Sequence, residues 1–200
     1  MARIAQLLVF LSLAALCYIQ GALANPPTAI DASRRGGWGK PVQPYTAQQV
    51  VAKLNLTANP EKGYYRETFR DPRLIQTGNG TRSASTAIYY LASSSKRFQH
   101  YLLEGSAGQS LWHRIDAAEV WHYYAGAPLT LSLSFNNGTG VRRALLGPDV
   151  FRGQQPQVAI GSWEWQSAKS EGDWTLVGTT VAPAFDPNLY EIADANWHPK

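Results

Sequence analysis

The sequence predicts an all-β domain, a sandwich or small barrel of short antiparallel strands with one short helix ahead of it. Three observations carry this. From Gly63 onward, segments rich in aromatic and β-branched residues recur at short spacing, with Gly and Pro between them. Asn136-Asn137-Gly138 separates two of these segments and supplies the residue types that accept the positive φ of a tight hairpin. Seven Trp, ten Tyr and six Phe provide bulk for a core in a chain with one cysteine, Cys17. Short strands punctuated this way indicate a sandwich or barrel.

In chain order, residues 1–24 read as a secretory signal. Arg3 is its positive end, Leu7 to Ile19 is an apolar run short for a bilayer, and Ala22-Leu23-Ala24 is a small-x-small cleavage site. An uncleaved membrane anchor is the alternative. The mature chain would start near Asn25 and hold no cysteine, which excludes thiol catalysis and thiolate zinc sites there. Residues 25–45, with four Pro and three Gly, read as a flexible leader. The domain is expected over residues 46–197. Thr46 to Leu56 reads as a helix, because Thr46 can cap it, Gln49 sits three residues on, and Val50, Val51 and Leu54 share a face. Asn59-Pro60 marks a turn. Strands are expected over Tyr64 to Phe69, Thr86 to Leu91, Gln99 to Leu103, Glu119 to Tyr124, Leu129 to Phe135, Val141 to Leu146, Gln157 to Ile160 and Trp174 to Val181.

The formal charge is +4 and the pI about 9.2, but the basic residues are scattered. Arg34-Arg35, Lys96-Arg97 and Arg142-Arg143 are short pairs and form no stripe, so no nucleic-acid partner is predicted. After signal cleavage no segment is long and apolar enough to span a membrane, and the protein is expected to be secreted. Asn55, Asn79 and Asn137 each begin an Asn-x-Thr sequon and are candidate glycosylation sites in an extracellular protein. The chain has no Gly-x-Ser-x-Gly elbow, phosphate loop or His-Glu-x-x-His pair. Glu61, Glu67, Asp71 and Glu119 are carboxylates that a glycosidase would need in pairs, which sequence spacing does not assign.

Asn59-Pro60-Glu61-Lys62-Gly63-Tyr64-Tyr65-Arg66-Glu67-Thr68 resembles the PHPEGGYYRET signature of a family of single-domain cupins of unknown function, relatives of dTDP-sugar epimerase-like cupins. The resemblance continues through Ser85 to Leu91, Trp112-His113-Arg114, Glu119-Val120-Trp121-His122-Tyr123-Tyr124-Ala125-Gly126, Gly153 to Gln157 and Thr180-Val181-Ala182-Pro183, over about residues 47 to 193. It implies a cupin jelly-roll barrel (a double-stranded β-helix) and, commonly, a homodimer. The departures are Asn59 for the family's usual His, Lys62 for Gly, Ala118 for Asp, Thr179 for Cys and Ala184 for Gly.

The resemblance also frames the chemistry. A metal-binding cupin carries two His one residue apart, so that both point inward from one strand. Here His113 is followed at that spacing by Ile115, and the position of a further His is Gln166. His113, Glu119 and Gln166 would be a poor metal set, and no metal or other cofactor is predicted. Two functions follow. One is a binding protein for a small carbohydrate or nucleotide-sugar-like ligand, with Tyr65, Tyr89, Tyr124 and Trp165 as ring-stacking groups, Arg66 for an anion and Gln166 as a polar contact. The other is an isomerase or epimerase with His113 as base and Glu119 orienting it. His122, an odd number of residues from Glu119, is expected on the opposite face of their strand.

Overall fold

The computed structural model describes residues 44–93 and 109–200. The signal, nearly all of the leader and the strand expected over Gln99 to Leu103 lie outside the described residues. The helix α1 spans Ala47–Leu54. Its first turn is closed by a reciprocal cap. Gln49 N–H donates to Thr46 Oγ1 at 3.3 Å and Thr46 N–H donates to Gln49 Oε1 at 2.8 Å, so two otherwise orphaned donors are satisfied. Asn55 ends the helix in the left-handed region, at φ 52°. The apolar stripe of Val50, Val51 and Leu54 packs over Leu56, Leu91 and Trp174.

Strands are numbered in chain order. β1 (Thr57–Ala58), β2 (Tyr64–Arg70), β5 (Thr86–Ser93), β12 (Trp174–Ala182), β7 (Ala118–Gly126) and β10 (Gln157–Ile160) form one sheet in that spatial order. β13 (Tyr190–Ile192), β6 (His113–Ile115), β11 (Trp165–Ser170), β8 (Leu129–Ser134) and β9 (Arg142–Leu146) form the second. β3 (Leu74–Thr77) and β4 (Gly80–Ser83) make a separate hairpin. The strand pairs within the sheets are antiparallel, and each sheet joins early and late strands of the chain, as in β5 beside β12 and β13 beside β6.

The two sheets face each other across one core. On β8 the leucines Leu129, Leu131 and Leu133 are fully buried, while Thr130 and Ser132 between them are half-exposed. This is the period-two pattern of a strand with one wet face. They meet Tyr90, Trp121 and Val177 of the larger sheet. The β8–β9 connection turns at Asn136, Gly138 and Gly140, all at positive φ. This arrangement is the expected jelly roll. Toward one end the leucine layer gives way to Ile115 and Val181, packed with Phe185 and Tyr190, and there the sheets enclose a cavity.

Candidate functional site

Two local features bring the chemistry together. After β1 the chain reverses in a turn built by Asn59. Its Oδ1 accepts the Glu61 N–H at 2.9 Å and its carbonyl accepts the Lys62 N–H at 2.9 Å. Lys62 and Gly63 complete the turn at φ 79° and 78°. The Glu61 carbonyl then accepts the Leu111 N–H at 3.1 Å, tying the turn to the approach of β6. On β6, alternation sends His113 and Ile115 inward and Arg114 outward, where it pairs with Glu191 at 2.7 Å.

The cavity holds about 290 Å³. His113, 4% exposed, places Nε2 3.2 Å from Glu61 Oε2. Its other nitrogen, Nδ1, lies 3.1 Å from the Leu111 carbonyl, which only accepts, so Nδ1 carries a hydrogen. Nε2 is thereby the nitrogen left to face the Glu61 carboxyl. Burial pushes Glu61 above the usual carboxylate range. His113 opposes that rise, the charge of Glu119 adds to it, and a hydrogen bond from Tyr190 opposes it. Burial also raises Tyr190 and Tyr90, with the Glu61 charge adding to both.

A second buried pair lies deeper. Trp121 Nε1–H donates to Gln166 Oε1 at 3.0 Å, which fixes the amide orientation, and Gln166 Nε2 donates to Glu119 Oε2 at 2.6 Å. Gln166 thus stands behind Glu119 and Trp121, and it is these two that line the cavity. This corrects two sequence expectations. The carboxylate paired with His113 is Glu61, not Glu119. Gln166 does not line the cavity and instead braces Trp121 and Glu119, which do. The residues present do not fit the metal set of a metal-binding cupin. Ile115 contributes an apolar wall, both polar atoms of the Gln166 amide are engaged, and His113 Nε2 faces Glu61. Among the described residues no group of three or more His, Cys, Asp or Glu side chains is arranged to hold a metal ion.

Of the expected ring-stacking groups, Tyr65 lines the cavity. Tyr89, Tyr124, Arg66 and Trp165 do not, and the cavity role expected for them is corrected. The first three lie on the outer face of the larger sheet. Tyr89 meets Tyr124 edge-on at 6.0 Å, and the Arg66 guanidinium lies 5.8 Å from the Tyr89 ring. Trp165 packs against Trp197 at 4.4 Å and beneath Arg114 at 4.7 Å, on the outside of the smaller sheet. Alternation is the physical cause, since Tyr89 precedes the inward Tyr90 and Trp165 precedes the inward Gln166. His122 faces outward as expected, bonded to Thr180 at 3.2 Å and Gln157 at 2.9 Å. Glu61, Tyr90, Phe185 and Tyr190 line the cavity without having been singled out as ligand contacts. Glu61 had a visible signal, its place in the Asn59-to-Thr68 signature.

Asn55, Asn79 and Asn137 are all exposed. No helix among the described residues is long and apolar enough to cross a membrane. Residues 48–193 match the family model described as Cupin superfamily (DUF985). Among solved structures, the chain is similar to a hypothetical protein from Leishmania major, at 27% identity and a TM-score of 0.63, covering 74% of this chain and 86% of that one. It is also similar to a protein from Shewanella oneidensis, at 25% identity and a TM-score of 0.63, covering 75% and 85%. No curated protein matches it.

Proposed function

The chain belongs to the family described as Cupin superfamily (DUF985), and from that fold and its cavity we propose that it binds a small carbohydrate-like ligand between its sheets. The observation that carries the reading is the Glu61–His113 pair, at 3.2 Å, set in a cavity walled by Tyr65, Tyr90 and Tyr190. Few polar groups among aromatic faces are what orient and hold a ring. The volume of about 290 Å³ suits a single ring, and any nucleotide attached to it would project outside.

A second reading is an isomerase or epimerase in which His113 is the general base. The 3.2 Å contact between His113 and Glu61 favours it, because an imidazole and a carboxyl side by side in a cavity are the groups that take and return a proton. Secretion, glycosylation at the exposed sequons and a homodimer built through sheet edges belong to the same proposal. Endoglycosidase treatment should lower the mass of the secreted protein, and light scattering should give twice the chain mass.

The test of binding is a thermal-shift survey of monosaccharides on the full chain, followed by titration of the hits into His113→Ala. Loss of a charge-assisted hydrogen bond should weaken affinity roughly tenfold to hundredfold. A destabilised variant with unchanged affinity would place the ligand elsewhere. Isomerisation of a hit by the native chain but not by His113→Ala would establish the second reading.

A further inference from the structure

The charge of the cavity is lopsided, and we propose that its ligand is a cation: a small hydroxylated amine of the amino-sugar class, held between aromatic faces with its ammonium toward Glu119. The inference rests on the cavity being the ligand site and specifies what that site takes. Three carboxylates line the cavity, and two are answered. Glu67, at the mouth, pairs with Arg70 at 2.7 Å. Glu61 has the His113 imidazole as its partner at 3.2 Å. Glu119 is different. It is 7% exposed, its side-chain partner is the uncharged amide of Gln166, and no Lys or Arg is among the described residues that line the cavity.

An ionised carboxylate held from water without a counter-charge is costly, and an arriving ammonium removes that cost. The surrounding walls suit the same ligand. Tyr65, Tyr90, Trp121, Phe185 and Tyr190 present ring faces and edges, and an ammonium over such a face gains a cation–π attraction. Thr86 and Thr179 add hydroxyl groups that can meet hydroxyls on the ligand. A phosphate or carboxylate would meet Glu119 and Glu61 with no Lys or Arg in the described lining to offset them, and His113 already faces Glu61, which narrows the carbohydrate reading away from anionic sugars.

The Trp121 indole N–H, bonded to Gln166 beside Glu119, is a reporter inside the cavity. Glucosamine, tetramethylammonium, glucose, glucuronate and glucose 6-phosphate are titrated into the full chain while that signal is followed by nitrogen–proton correlation NMR. Glucosamine should shift it and bind at least about tenfold tighter than glucose, and the two anions should leave it unmoved. Glu119→Gln, which keeps an oxygen to accept from Gln166, should abolish the preference for glucosamine over glucose while the dispersed indole signals show an intact fold. Glucose binding as tightly as glucosamine at Trp121 would overturn the cationic ligand and leave the binding cavity standing. Tight glucosamine binding without movement of Trp121 would overturn the cationic ligand at this site. If no probe moved Trp121 at millimolar concentration, both the cation and the cavity reading would fall.

Discussion

The Leu111 carbonyl fixes the orientation of the His113 ring. By engaging Nδ1–H at 3.1 Å, it leaves Nε2 to face Glu61. Burial raises Glu61 against the opposing pull of His113, so the folded state takes up a proton more readily than the unfolded chain. The sign of the linkage follows. Glu61 favours folding below its ordinary pKa of 4.5, and that contribution is lost as pH rises from there through the raised folded value. Glu61→Gln removes this slope. Melting temperatures of the two proteins, measured across acid to neutral pH, should therefore diverge in the variant's favour as pH rises. A constant difference would show that the burial of the Glu61 carboxyl has no bearing on the pH dependence of stability. His113 was legible from the motif that carries it. Glu61 was less so, because its role depends on a turn that folds back onto a distant strand, and only the tertiary approach of Leu111 to Glu61 brings the two together.

At the level of elements, local chemistry was the more readable. The Thr46–Gln49 cap is a sequence pattern realised as two hydrogen bonds, and Thr46→Ala should cost about 1 kcal/mol of stability in denaturant melts. The alternation of β7 was readable too, with Glu119 and Trp121 inward and His122 outward. Strands lacking that signature were missed. β11 reads Trp-Gln-Ser-Ala-Lys-Ser, whose small polar residues are buried by neighbours on both sides, among them Ser167 bonded to the Ser110 carbonyl at 2.8 Å. Gly126, at φ 96°, closes β7 where an added Cβ would lie 2.5 Å from the Trp174 carbonyl. Gly138, at φ 85°, has open space around the same position. Both alanine variants carry a backbone cost of about 1–2 kcal/mol. Gly126→Ala should exceed Gly138→Ala, because it must also displace backbone, and chemical denaturation of the pair checks the order.

For the whole molecule, one layer of leucines joins the sheets, and its position was visible in the alternating Leu129-Thr130-Leu131-Ser132-Leu133 run. Leu131 is fully buried, and Leu131→Ala should cost about 2–5 kcal/mol, read as a lower denaturant midpoint with an unchanged slope. Alternation and turn residues made a sandwich or small barrel legible, and the resemblance of residues 47 to 193 to a cupin family narrowed it to the jelly roll. The cavity's lining was legible only in part. Aromatic residues such as Tyr89, Tyr124 and Trp165 look like site residues in sequence, yet one position along a strand separates a cavity wall from an outer face. The lining also includes Phe185 and Tyr190, which reach it from the far end of the chain by way of β13 against β6.

The amide of Gln166 also bears on what a metal centre here would require. Its orientation is set by an indole that only donates and a carboxylate held at 2.6 Å, so it forms a one-way link from Trp121 to Glu119. Placing histidine at position 115 would not by itself build a metal centre. Histidine would also be needed at 166, and that exchange would strand a buried indole N–H and strip Glu119 of its donor, an intermediate costing about 1–3 kcal/mol for each group left unmet. No single substitution at 115 or 166 would therefore assemble a metal centre here.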